Sequence, residues 1–150
     1  MKTLFISLSI LLFAGCGTKK ISGDGTGQTI EMKAAKNLKA TTGKVPVSTS
    51  PVTITSARIE GNTMIIGVSY PGGCGEHDFS LIGSESIAKS LPPIRSVNLV
   101  HTTETPDNCK AMIMKTLEFD ISDLAYKQEK GSEIILTLDG WDGKLGYIYE

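Results

Sequence analysis

The sequence is short of the residues on which most enzymes and nucleic-acid-binding proteins depend. Its 150 residues include three Cys, two His, one Trp, four Tyr and four Phe. Lys and Arg (15) nearly balance Asp and Glu (16), so the basic surplus of a nucleic-acid binder is missing. No apolar run approaches the roughly 20 residues of a spanning helix. No Gly-x-Ser-x-Gly elbow occurs, because Gly67-Val68-Ser69-Tyr70-Pro71 ends on Pro where Gly belongs. His-Glu-x-x-His, Cys-x-x-Cys and the Gly-Lys-Ser/Thr of a phosphate loop are also missing. Asp139–Glu150 has the length of a calcium loop, but Trp141 and Lys144 occupy its third and sixth positions, where a ligand and a turn are required. Helical and strand patterns do not alternate, which excludes a parallel α/β sheet, and no internal repeat is visible.

What is present falls into three parts. Residues 1–16 hold 11 apolar residues, and residues 17–50 only 9 in 34, without one aromatic. Residues 51–150 hold seven of the nine aromatics. Charge follows the same division. Six Lys against two acids give 17–50 a charge of +4, and eight basic against 14 acidic residues give 51–150 a charge of −6. The expected organisation is a signal peptide at 1–15, a lipid anchor and flexible basic tether at 16–50, and one folded domain at 51–150.

The first part starts with Lys2, continues through the largely apolar Leu4–Phe13, and ends on the small residues Ala14 and Gly15 before Cys16. A positive start, a short apolar centre and a small-residue cleavage site make a secretory signal. Leu12-Phe13-Ala14-Gly15-Cys16 resembles the lipobox of bacterial lipoproteins, with Phe13 where that pattern usually has Leu. The resemblance implies cleavage before Cys16, acylation of its sulfur (palmitate included) and attachment to membrane lipid. Buried acyl chains contribute about 0.8 kcal/mol per methylene, so two or three anchor stably. Gly17-Thr18-Lys19-Lys20 has neither an acidic run nor an Asp directly after the Cys. That points to the periplasmic face of the outer membrane, with the inner membrane and the cell surface as alternatives.

The tether is rich in Gly, Lys, Thr and Ser, a composition that buries too little apolar surface to offset its ordering entropy. Within it, Thr29–Ala40 spaces Ile30, Ala34 and Leu38 like one face of a helix. The alternatives there are a short basic helix on anionic lipid and a solvated, fraying segment, which the thin apolar face favours.

From Val52 the period becomes two. Val52 and Ile54 alternate with Thr53 and Thr55, and Gly61-Asn62 joins Ala57–Glu60 to Thr63–Tyr70 as a tight hairpin. His77, Phe79 and Leu81 share one face. Ser84–Ser90 reads as one helical turn, Val97–His101 as a strand, and Ser122-Asp123-Leu124 as a turn. Ala111, Ile113, Lys115, Leu117 and Phe119 alternate with Met112, Met114 and Thr116. Ile134–Leu138 and Leu145–Tyr149 make a last pair. Seven or eight short strands with regular turns predict an all-β fold, a single antiparallel β-sandwich or small barrel. The pairs Asp120/Asp123 and Asp139/Asp142 read as turn and cap residues, and Trp141 as a core-closing aromatic rather than a sugar-stacking ring.

With Cys16 acylated, Cys74 and Cys109 remain, and an even pair in an exported protein favours a disulfide. The alternative is a zinc or copper site built from Cys74, His77, His101 and Cys109, although His-x₇-Cys is not a compact ligand pair. A third reading keeps the disulfide and places His77, His101, Glu76, Asp78 and Asp107 beside it as a polar cluster. Gly72, Gly73 and Gly75 allow close backbone approach there. Tyr70-Pro71-Gly72-Gly73-Cys74-Gly75-Glu76-His77-Asp78-Phe79-Ser80-Leu81 resembles a signature of small uncharacterised lipoproteins of the Bacteroidota type. So does the run from His101 through Asp107-Asn108-Cys109 to Leu117–Ser122. That resemblance implies a family without implying a reaction. The leading expectation is a non-enzymatic, lipid-anchored binding module of the cell envelope, without a cofactor, that engages an envelope protein or small ligand and no nucleic acid. The alternatives are a metal-binding domain and a small envelope hydrolase.

Overall fold

The computed structural model describes residues 30–47 and 50–150, with side chains described for all of these except 30–37. The expected export signal, Cys16 and the first part of the expected tether lie outside the described residues. Among the described residues nine strands form: β1 (Ile30–Lys39), β2 (Thr41–Thr42), β3 (Thr53–Glu60), β4 (Thr63–Gly72), β5 (Asp78–Gly83), β6 (Ile94–Thr102), β7 (Ala111–Asp120), β8 (Glu133–Leu138) and β9 (Lys144–Ile148). Among the described residues the only helical element is a 3-10 turn at Ser122–Leu124. No helix there is long and apolar enough to cross a membrane.

Two sheets pack face to face, in the orders β1-β7-β4-β3 and β2-β5-β6-β8-β9. This is an all-β sandwich and not a closed barrel. The period-two pattern explains its interior. Met64, Ile66, Val68 and Tyr70 of β4 and Ile113, Leu117 and Phe119 of β7 point inward from the first sheet. Phe79, Leu81, Val97, Ile134, Leu136 and Tyr147 meet them from the second. Met112 and Met114 stay on the outer face, as the alternation predicts.

The Gly61-Asn62 hairpin forms as predicted, with Glu60 opposite Thr63 and Gly61 at φ +57°. Asn62 does more than turn the chain. Its Oδ1 accepts from the Tyr147 hydroxyl at 2.8 Å and from the Glu150 amide at 3.1 Å, which ties the C-terminus to the hairpin.

Three features differ from the sequence expectation. Residues 30–39 form a strand, not a helix or a fraying segment, and with β2 they bring into the sheets a stretch expected to be tether. β1 runs parallel to β7 with two register shifts, so its apolar spacing never shows a clean period of two. At Ala40, fully buried, the chain crosses from the first sheet to the second, where β2 pairs with β5. Second, the sheets are mixed: β1–β7, β2–β5 and β6–β8 are parallel, because crossovers between the layers separate these partners in sequence. Third, Ser84–Ser90 is not helical. The Ser86 amide bonds to Ser84 Oγ, and Ala88 bridges back to Ile94 around Leu91-Pro92-Pro93. Trp141 packs, partly buried, against the core, as expected of a closing aromatic.

Candidate functional site

One end of the sandwich gathers the residues that the sequence singled out. Cys74, in the β4–β5 loop, and Cys109, just before β7, are joined by a disulfide that closes a separation of 35 residues. Asp107 sits under that loop with its side chain only 3% exposed. Its Oδ2 accepts from the amides of Gly73 at 2.8 Å, Cys74 at 3.0 Å and Gly75 at 3.0 Å. Its Oδ1 accepts from the Cys109 amide at 2.9 Å.

Successive amides can converge on one oxygen only when the backbone curls into a concave nest. Gly72 and Gly73, at φ +147° and +111°, provide that curl. A Cβ at Gly72 would lie 2.7 Å from His77 Nε2 and 2.9 Å from Asp107 Oδ2, so the position has no room for a side chain. The Cys109 amide first, then the Gly75 amide, His77 and the Cys74 amide hold the Asp107 carboxyl far below the usual carboxylate range.

From Asp107 a line of contacts runs inward. His77 Nε2 lies 3.0 Å from Asp107 Oδ2, and His77 Nδ1 lies 2.8 Å from His101 Nε2. His101 Nδ1 reaches the carbonyl of Pro51 at 3.0 Å. His101 is fully buried on β6, and the His77 side chain is 6% exposed. Aromatic rings enclose the pair. Phe79 stacks on His101 at 4.5 Å between centroids with 6° between planes. Tyr70 touches His77 at 4.7 Å and His101 at 4.9 Å. Burial pushes the Tyr70 phenol up, and the Asp107 charge adds to it. Burial pushes His101 down, helped by His77 and Lys115 and opposed by the Pro51 carbonyl.

The polar cluster expected beside the disulfide is therefore present in part: His77, His101 and Asp107 meet. Glu76 and Asp78 are exposed, and among the described residues neither joins the cluster. The Cys/His metal reading does not hold in this structure. Asp107 and both sulfurs lie within 4.8 Å of one another, but the sulfurs are bonded to each other rather than available as thiolate ligands. Nothing in the sequence pointed to Pro51, because its contribution is a backbone carbonyl. Arg95 was also missed. It is 6% exposed on β6, donates to the Ser84 carbonyl at 2.6 Å, and buries its Nε without a partner among the described residues.

Outside this cluster a cleft of about 350 Å³ is lined by Ser50, Pro51, Pro71, His77, Thr103, Pro106 and Asp107. Ser50 Oγ is 3.0 Å from Thr103 Oγ1. A Ser, a His and an Asp thus border one cleft, as a hydrolase requires. Both nitrogens of His77 are engaged by His101 and Asp107.

No protein-family model matches the chain, and no curated relative matches it. Among solved structures, a NigD-like immunity protein from Bacteroides caccae is similar with a TM-score of 0.56 and 14% identity, over 75% of this chain and 65% of that one. A putative toxin-related protein from Parabacteroides distasonis gives a TM-score of 0.45 and 19% identity, over 73% of this chain and 59% of that one. The chain thus spans less than two thirds of either neighbour. At this identity the first likeness shows a shared sandwich fold.

Proposed function

We propose that the chain is a non-enzymatic binding module, held at the cell envelope through acylated Cys16, whose partner is a protein antagonist of the kind that an immunity protein neutralises. The observation that carries the non-enzymatic reading is the state of the only two His in the chain. All four imidazole ring nitrogens contact internal partners, so neither imidazole is left to act as acid or base on a substrate. The immunity role comes from the name of the Bacteroides caccae neighbour, whose fold this chain shares.

The partner surface is best sought at the apolar groove of about 650 Å³ lined by Ile87, Ala88, Lys89, Ser90, Leu91, Pro93 and Tyr126. Leu91 is 100% exposed there and Tyr126 49%, the kind of apolar and aromatic anchors that protein interfaces use. The −6 charge of residues 51–150 favours a basic partner.

The test deletes the gene in its own host and challenges the cells with culture supernatants of related strains. Sensitisation that is reversed by the wild-type chain, and not by Leu91→Asp at unchanged melting temperature, is the expected result. Unaltered survival under every challenge would overturn the immunity reading. Labelled palmitate incorporated by the wild type and lost in Cys16→Ser tests the anchor separately.

A further inference from the structure

We propose that His77 and His101 hold one proton between them, so that the two rings together carry three N-bound protons and one positive charge, closed off by the Asp107 carboxylate. The argument is a count of donors. Pro51 offers a carbonyl oxygen, which only accepts, so Nδ1 of His101 carries a proton. Asp107 Oδ2 already accepts from three amides and is held ionised, so Nε2 of His77 carries a proton as well. The two remaining nitrogens face each other at 2.8 Å. Were both rings neutral, each would present a lone pair there, and the contact would be repulsive. At that distance an N–H···N bond is the stable arrangement, and it needs a third proton.

Each ring is pinned at its outer nitrogen, so neither turns aside without breaking another bond. The surroundings divide over the added charge. Asp107 and the faces of Phe79 and Tyr70 favour a cation. Lys115, whose ammonium lies 5.4 Å from the centre of the Phe79 ring, opposes it, as does burial. Glu76 and Asp78, flanking His77, are exposed to solvent. Asp107, in direct contact with His77, decides the balance in favour of the shared proton. Loss of that proton sets two lone pairs against each other. Phe79, Leu81 and the rest of β5 are locked to β6 by the sheet. The strain therefore falls on His77, which the β4–β5 loop presents to the cleft wall.

Long-range proton–nitrogen correlation spectra of the full chain, labelled at His, read the proton count directly. The expected result at pH 7.5 is three N-bound protons over the two rings, coupling across the Nδ1···Nε2 bond, and one titration step that moves both rings together. Lys115→Met, which removes the opposing ammonium and leaves the cluster intact, should raise that midpoint. Two neutral rings with one N-bound proton each at pH 7.5, or two separate midpoints, would overturn the proposal. So would a midpoint that Lys115→Met leaves in place.

Discussion

At the scale of single residues, Asp107 carries the most structure. One carboxylate closes the β4–β5 loop through three amides, caps the Cys109 amide and anchors His77. Its folded-state pKa is depressed, so the stability it supplies is fully present above the ordinary carboxylate value of about 3.9 and is lost only as pH falls towards its own lower value. Asp107→Asn keeps the shape but removes the charge and one acceptor. The variant should therefore melt below the wild type, by a gap that narrows as pH falls below about pH 4. Thermal melts of both proteins from pH 2 to pH 7 read this gap, and a gap that widens in acid would contradict it.

At the scale of elements, the β4–β5 loop shows how much the sequence reveals and where it stops. Gly72-Gly73 with Cys74 and Gly75 marks a place of close approach, and Asp107 is legible as a neighbour through its nearness to Cys109. The convergence of three amides on a single oxygen is not legible, because it depends on φ angles and on a residue more than thirty positions away. Gly72→Ala places a methyl against His77 Nε2 and Asp107 Oδ2 at an unfavourable φ. It should destabilise by more than the roughly 1 kcal/mol of an ordinary Gly→Ala mismatch, seen as a lowered urea midpoint at unchanged slope. β1 is the opposite case. Strands β3 to β9 follow from period-two patterns whose inner faces are apolar. β1 is specified by the open edge of β7, by parallel pairing and by two register shifts, so its own residues look helical or featureless. The cluster was thus half-readable, through Cys, His and Asp side chains, whereas the Pro51 carbonyl had no side-chain signal at all.

At the scale of the whole molecule, the two sheets depend on covalent and non-local ties. The disulfide bridges a separation of 35 residues and holds both halves of the Asp107 nest. Reduction, or the double variant Cys74→Ala/Cys109→Ala, should cost about 3–4 kcal/mol in chain entropy alone. Comparing denaturant midpoints with and without reductant measures it, and equal midpoints would show that the nest holds without the bond.

The second tie is β1, which sets the extent of the folded unit. The composition places the boundary near residue 51, yet β1 covers the edge of β7, and β2 adds to the edge of β5. A chain beginning at residue 51 leaves β7 from Ile113 to Asp120 without its β1 partner along one side. It also loses buried Ala40, whose amide bonds to the Asp120 carbonyl at 2.8 Å. Such a chain should aggregate or melt well below one beginning at residue 28, and adding a peptide of residues 28–47 in trans should restore part of the difference. Equal melting temperatures and equal solubility for the two chains would return residues 30–42 to the tether. That outcome would also make the +4 segment a leash along its whole length, instead of one whose last part is built into the sandwich.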